Sequence, residues 1–121
     1  MPPTTGNGKI CYLEIPAADV AVSAAFYSKV FGWQVRQHGN GELAFDDGVG
    51  QVSGMWVLGR PPSNEHCIRI SIMVDSVAGT LETIVAQGGE VFTPIGEHPS
   101  EITARFRDPY GNILSLYQEP A

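Results

Sequence analysis

Apolar and polar residues alternate in a series of short stretches along this chain, and two longer stretches carry apolar residues at helical spacing. Alternation with a period of two predicts strands, and recurrence every three to four residues predicts amphipathic helices. The segments follow the order strand, helix, strand, strand, strand, and that order occurs twice. The pattern therefore predicts an α+β fold made of two βαβββ modules, in which each sheet is covered by a helix on one face.

The two modules repeat in a fixed register, which three pairs of identical residues reveal. A separation of 56 positions joins Asp19 to Asp75, Gly32 to Gly88 and Val35 to Val91. Aspartate before a helix and glycine after it are common start and stop signals. We therefore expect Asp19 and Asp75 to cap the two helices, and two similar modules to enclose a shared cavity.

The module boundaries follow from the turn signals. Residues 1–8 are predicted to form a flexible tail, and residues 9–121 a single domain. Within it, module one covers residues 9–60, a proline-containing linker covers 61–65, and module two covers 66–119. Cys11 and Cys67 lie in apolar strand patterns, where buried free thiols are common.

Composition excludes several classes of function. A net charge of −6 argues against nucleic acid and against an anionic membrane surface, because both are bound through lysine and arginine. No apolar run approaches the roughly 18 residues that a membrane span needs, and the first eight residues lack the features of a secretory signal. We expect a cytoplasmic protein.

Local motifs in both modules resemble the vicinal oxygen chelate superfamily, which includes glyoxalase I, bleomycin-resistance proteins and extradiol dioxygenases. The opening of module one, from Leu13 through Phe26-Tyr27 to Gly32-Trp33, is similar to that family's first module. The segment from Phe106 to Ile113 resembles its closing hairpin. The resemblance covers residues 9–119 and implies a cup-shaped sheet, but this fold carries many functions.

The resemblance also implies four metal ligands, usually histidine, glutamine or glutamate. Three of those positions fall on Tyr12, Arg69 and Ser115, and the second, on the last strand of module one, is left unassigned, with Gln51 a weak substitute. An arginine repels a divalent ion, and tyrosine and serine are poor ligands for the usual metals. We therefore predict no metal and no cofactor, with a divalent metal as the alternative. His38, His66 and His98 are scattered and are expected on the surface.

Strand alternation divides the predicted strands into two faces. The apolar parity is expected to face the helices and contains Cys11, Leu13, Ile15, Ile68, Ile70, Ile72, Val74, Leu114 and Leu116. The opposite parity is expected to line the cavity and contains Tyr12, Glu14, Arg69, Ser71, Met73, Ser115 and Tyr117. Arg105 on a neighbouring strand adds positive charge. Apolar walls with a few polar groups are typical of a small-molecule site.

Three hypotheses concern single residues of that site. Arg69, helped by Arg105, could hold an anionic or carbonyl-bearing ligand through its planar donors; in the alternative, Arg69 and Glu14 form an internal ion pair. Trp56 could stack on a flat ligand, although buried packing is commoner. Glu14 is a weak candidate for a general base.

The first functional hypothesis is a metal-free protein that binds a small anionic or aromatic molecule. The rival is a glyoxalase-type lyase, isomerase or dioxygenase with atypical ligands, and a third alternative is an auxiliary module with a vestigial site. The resemblance further implies a homodimer. Motif searches for phosphate loops, zinc proteases and serine hydrolases find nothing.

Overall fold

The structure, a computed structural model, describes residues 2–120. Met1 of the predicted tail and Ala121 of the predicted domain lie outside them. The elements in chain order are β1 (Tyr12–Pro16), α1 (Val20–Phe31), β2 (Gln34–Gln37), β3 (Leu43–Asp46), β4 (Ser53–Val57), β5 (Ser71–Met73), α2 (Val77–Ala86), β6 (Glu90–Thr93), β7 (Ile102–Arg107) and β8 (Ile113–Gln118). This order confirms the α+β class and the two βαβββ modules.

The chain divides into two compact units, Met1–Arg60 and Pro61–Ala121, and each has a four-stranded sheet of its own. The strand order is β1-β4-β3-β2 in the first unit and β5-β8-β7-β6 in the second. In both sheets the first strand is an edge strand that pairs in parallel with the last, and the other pairings are antiparallel.

The first unit has an aromatic core between α1 and its sheet. The Asp19 side chain accepts the Val22 N–H, and Gly32 ends the helix in the left-handed conformation, so both predicted signals are confirmed. The Tyr27 ring stacks on Trp33 with centroids 4.8 Å apart, and Trp33 stacks on Phe45 at 4.5 Å. Stacked and tilted rings at these distances stabilise a core beyond the area they bury.

Gly54 on β4 makes room for this aromatic cluster. Gly54 pairs with Phe45 on β3 and with Leu13 on β1, so all three residues share the helix-covered face of the sheet. A Cβ at position 54 would overlap the Leu13 carbonyl oxygen and the Phe45 ring. The absence of a side chain therefore lets the Phe45 ring lie directly over the strand.

The helix of the second unit begins one residue later than predicted. Ser76, not Asp75, is the N-cap, because the Ser76 hydroxyl accepts the Gly79 N–H at 3.0 Å. The Val77 N–H is accepted by Oε1 of Gln118, 2.9 Å away on β8. Both Asp75 and Ser76 have a side chain that could cap the helix. With Ser76 as the cap, the Val77 N–H of the first turn is free to bond to Gln118 at the end of β8.

Strand β5 is much shorter than the alternation of Ile68, Ile70, Ile72 and Val74 in the sequence predicts. Its neighbour β8 begins at Ile113, and the Ile113 N–H already donates to the Ser63 carbonyl at 2.8 Å. The linker residue Ser63 therefore occupies the hydrogen-bonding site on β8 that a longer β5, extending before Ile70, would need. As a result Ile68 is 89% exposed, contrary to the prediction that it faces a helix.

Both cysteines also differ from the prediction of buried thiols. Cys11 precedes β1, Cys67 lies in a turn after the linker, and both are exposed. Among the other residues of the predicted apolar parity, Ile15, Leu114 and Leu116 are at most 5% exposed, as expected, whereas Leu13 and Ile72 are half-buried. Within residues 2–120, no helix is long and apolar enough to cross a membrane.

Candidate functional site: the open face of the second sheet

The open face of each sheet is defined here as the face opposite its helix. Strand residues that pair in register point to the same side of a sheet. In the second unit α2 packs on β6, β7 and β8 over Ala104, Phe106 and Leu116, which are fully buried. The open face then carries the alternate residues, which pair in three rows: Met73, Tyr117 and Thr103; Ser71, Ser115 and Arg105; Ile113, Arg107 and Glu90.

Two arginines converge on one carboxylate on this open face. The Arg105 Nη2 lies 3.1 Å from Oε2 of Glu97, and the Arg69 Nη1 lies 3.6 Å from Oε1 of the same carboxylate. Their side chains differ in burial, because Arg105 is 14% exposed and Arg69 is 45% exposed. The structure therefore brings together the two arginines that the sequence predicted, with Glu97 between them.

The Phe92 ring packs against the less exposed of the two arginines. The Arg105 guanidinium carbon lies 5.0 Å from the Phe92 ring centroid, and that of Arg107 lies 4.6 Å from it. Arg107 also lies 3.9 Å from the Glu90 carboxylate. Cation–π contacts of this length fix the guanidinium plane of Arg105. Its Nε is buried and has no hydrogen-bond partner among residues 2–120.

A shallow depression adjoins this cluster and is lined by Arg69, Arg105, Ile68, Ile113, Cys67, Asn64 and Glu65. The Cys67 thiol has a lowered pKa, chiefly because the Ser63 hydroxyl donates to the sulfur and also because of a hydrogen bond with the Asn64 backbone. The sulfur lies 3.6 Å from Oδ1 of Asn64, a contact that favours the thiol, but two donors outweigh that single acceptor.

The other predicted site residues of the second unit, Ser71, Ser115 and Tyr117, lie on the same open face but differ in burial and in hydrogen bonding. The Ser115 hydroxyl donates to the Ala104 carbonyl at 3.2 Å and is buried, whereas Ser71 is exposed. Partial burial raises the pKa of the Tyr117 hydroxyl, and the Glu119 and Glu101 carboxylates add to this shift. Tyr117 therefore stays protonated and can donate a hydrogen bond at neutral pH.

Tyr12 and Glu14 lie on the open face of the first sheet. Tyr12 is 49% exposed, and a Glu14 oxygen lies 2.6 Å from Nη2 of Arg60. The ion pair weighed between Glu14 and Arg69 is thus replaced by two others, because Arg69 pairs with Glu97. The Glu14 carboxylate is thus already engaged by Arg60, and a role as general base would require that ion pair to break.

Trp56 is the predicted site residue that the structure places elsewhere. Its side chain lies on the helix-covered face and is 2% exposed. Its ring is 4.9 Å from Phe45 and 6.0 Å from Tyr27, between centroids. The hypothesis that Trp56 stacks on a ligand is therefore wrong for this arrangement, and core packing is what the residue does.

The ligand positions implied for a metal do not fit one. Arg69 is a cation already paired with Glu97, and the Ser115 hydroxyl donates to a backbone carbonyl. The unassigned second position falls on the open face of β4, which presents Ser53, Met55 and Val57, while the Gln51 amide oxygen accepts the Thr4 N–H. Within residues 2–120 no three His, Cys, Asp or Glu side chains cluster as a metal site, and His38, His66 and His98 are exposed, as predicted.

Glu97, Phe92 and Thr103 are members of the open face that were not predicted as site residues. Phe92 reaches it because the β6–β7 register shifts between Val91 and Thr93. Glu97 lies in the loop that joins these two strands, and in a loop no periodic pattern indicates where a side chain points. Thr103 belongs to the polar parity of β7 and could have been found from that alternation; its Oγ1 is buried with no partner in the described chain.

Two βαβββ modules with polar open faces define a fold class, that of the paired-module glyoxalase-like proteins. The chain belongs to the Glyoxalase/Bleomycin resistance protein/Dioxygenase superfamily, whose family model matches residues 9–116. This membership confirms the resemblance to the vicinal oxygen chelate proteins.

Known relatives support the same assignment. A "Glyoxylase-like domain-containing protein" of Didymella fabae is 29% identical, covering 94% of this chain and 96% of that protein. A glyoxalase-related enzyme from Fulvimarina pelagi is similar in structure, with a TM-score of 0.75, 20% identity and coverage of 93% and 89% of the two chains. A family member from Burkholderia phytofirmans has a TM-score of 0.74 at 17% identity, covering 92% and 98%. At these identities the structures show the fold alone.

Proposed function

We propose that this chain is a metal-free protein that binds a small anionic molecule on the open face of its second sheet. The observation that carries the proposal is the convergence of Arg69 and Arg105 on a single carboxylate. Guanidinium groups recognise planar oxyanions through paired donors. Ser71 and Tyr117 on the same face supply hydroxyl groups, and Ile68 and Ile113 supply apolar wall.

The absence of a metal is part of this proposal. Arg69 and Ser115 stand where the resemblance implies metal ligands: a guanidinium has no lone pair to offer a cation, and a neutral serine hydroxyl is a poor ligand for the usual metals. Elemental analysis of purified protein tests this point. Zinc, nickel, manganese or iron in a 1:1 ratio to the chain would support the rival enzyme with atypical ligands instead.

Ligand binding is tested by a thermal-shift screen of small acids, because a ligand that binds only the folded state raises its melting temperature. Each hit is then titrated into the unmodified chain and into Arg69→Ala. Because the variant lacks a charged hydrogen-bond donor, it should bind the hit about tenfold more weakly. Arg36→Ala is the matched control: its side chain is 51% exposed and pairs with Asp46 in the first unit. Unchanged binding of every hit to Arg69→Ala would contradict the proposal.

Two further expectations accompany it. We propose that the protein is a homodimer, as is usual for small members of this family, and that it works in the cytoplasm. Light scattering coupled to gel filtration measures the mass against the 13.0 kDa chain. A monomer at micromolar concentration would exclude the stable dimer.

A further inference from the structure

The geometry points to a small monocarboxylate with an apolar body as the ligand, and to Glu97 as an internal competitor for its place. This inference rests on the proposed function and names the chemical class that the same site takes. The Glu97 carboxylate lies between two guanidiniums, one oxygen directed to each arginine. A ligand carboxylate has the same shape and charge, so it can exchange with the side chain that now occupies the position.

Arg105 is left with a donor that Glu97 does not use. Its Nη2 donates to Glu97, whereas its buried Nε has no hydrogen-bond partner within residues 2–120. A buried donor without an acceptor is costly, so a group that supplies one gains affinity. A free carboxylate can approach the Nε and Nη2 edge together, which a side chain tethered to the 94–101 loop does not do here.

The charges near the site favour one negative charge on the ligand. Arg107 has the Glu90 carboxylate as its own partner at 3.9 Å, whereas Arg69 and Arg105 share the single carboxylate of Glu97. Glu97 and, on the rim of the depression, the exposed Glu65 already supply two carboxylates. A second charge on the ligand would add repulsion that no cation of the cluster offsets. The apolar side chains of Ile68 and Ile113 line the rest of the depression.

The test uses three probes, benzoate, phthalate and inorganic phosphate, titrated into the full chain by calorimetry or by chemical-shift perturbation. We expect benzoate to bind most tightly. Arg105→Met, which keeps an aliphatic chain against Phe92, should weaken benzoate about tenfold because a charged hydrogen bond is lost. Circular dichroism checks that this variant folds; should it not fold, the more exposed Arg69→Met is titrated in its place.

Glu97→Gln separates a competitor from a supporting residue. Removing the competitor should tighten benzoate about fivefold, the upper range for an exposed charge pair, and phthalate about twentyfold because it carries twice the charge. Glu82→Gln makes the same change of net charge on α2 and should alter neither. Weaker benzoate binding in Glu97→Gln, no change, or an equal change in Glu82→Gln would overturn the inference.

Two other outcomes also overturn it while leaving the proposed function to its own test. Tighter binding of phthalate or phosphate than of benzoate by the unmodified chain would exclude monocarboxylate selectivity. Failure of all three probes to bind would exclude the carboxylate class. In both cases the proposed function still depends on whether ligands from the screen lose affinity in Arg69→Ala.

Discussion

Replacing Asn112 by alanine should destabilise the second unit strongly, because this side chain joins the linker to the last hairpin. Asn112 is 1% exposed. Its Oδ1 accepts the Ser63 N–H at 2.8 Å, and its Nδ2 donates to Oδ2 of Asp108 at 2.8 Å. Asp108 is itself 3% exposed, and its Oδ1 accepts the N–H groups of Tyr110, Gly111 and Asn112.

The magnitude is worked from the hydrogen bonds to Ser63 and Asp108, both of which the substitution removes. A neutral bond such as that to Ser63 contributes about 1 kcal/mol, and a bond to a charged group about 1.5–3 kcal/mol. Because both partners remain partly or fully buried, the loss should total about 3–4 kcal/mol, a large share of the roughly 5–15 kcal/mol that stabilises a domain. For a chain of this size we expect a melting temperature lower by about 12 °C.

Urea unfolding followed by circular dichroism measures this change. Tryptophan fluorescence is unsuitable, since Trp33 and Trp56 both lie in the first unit. Asn40→Ala is the matched control, because Asn40 is exposed in a turn and its bonds to Glu42 are solvent-accessible; it should cost well under about 1 kcal/mol. A loss no larger for Asn112→Ala than for Asn40→Ala would refute the reasoning.

Two further predictions concern other parts of the chain. Gly54→Ala should destabilise the first unit by about 3 kcal/mol, because the added methyl group overlaps the Leu13 carbonyl and the Phe45 ring; near-normal urea unfolding would show that the strand relaxes freely. Cys67 should react with iodoacetamide several-fold faster than Cys11 at neutral pH, since both thiols are exposed and hydrogen bonds from the Ser63 hydroxyl and the Asn64 backbone lower the pKa of the Cys67 thiol. Mass spectrometry of Cys11→Ser and Cys67→Ser variants compares the two rates, and equal rates would contradict the proposed hydrogen bonding at the sulfur.

Much of the second unit could be predicted because its signals are local. The β7 and β8 strands, Ile102–Arg107 and Ile113–Gln118, agree with alternation in the sequence to within one residue. The polar parity of Arg105, Ser115 and Tyr117 followed from the same alternation and places them on one open face. Local spacing sets side-chain direction in a paired strand, so the sequence is sufficient there.

The remaining features of the fold and of the candidate site depend on contacts between segments that are distant in the sequence. The sequence by itself determined the duplicated βαβββ order and the helix signals at Asp19 and Gly32. Only the tertiary structure decided that the linker shortens β5, that Trp56 belongs to the core, and that a loop places Glu97 between Arg69 and Arg105. The reason is that periodic patterns encode which face a residue takes, whereas the partner it meets there depends on segments far along the chain.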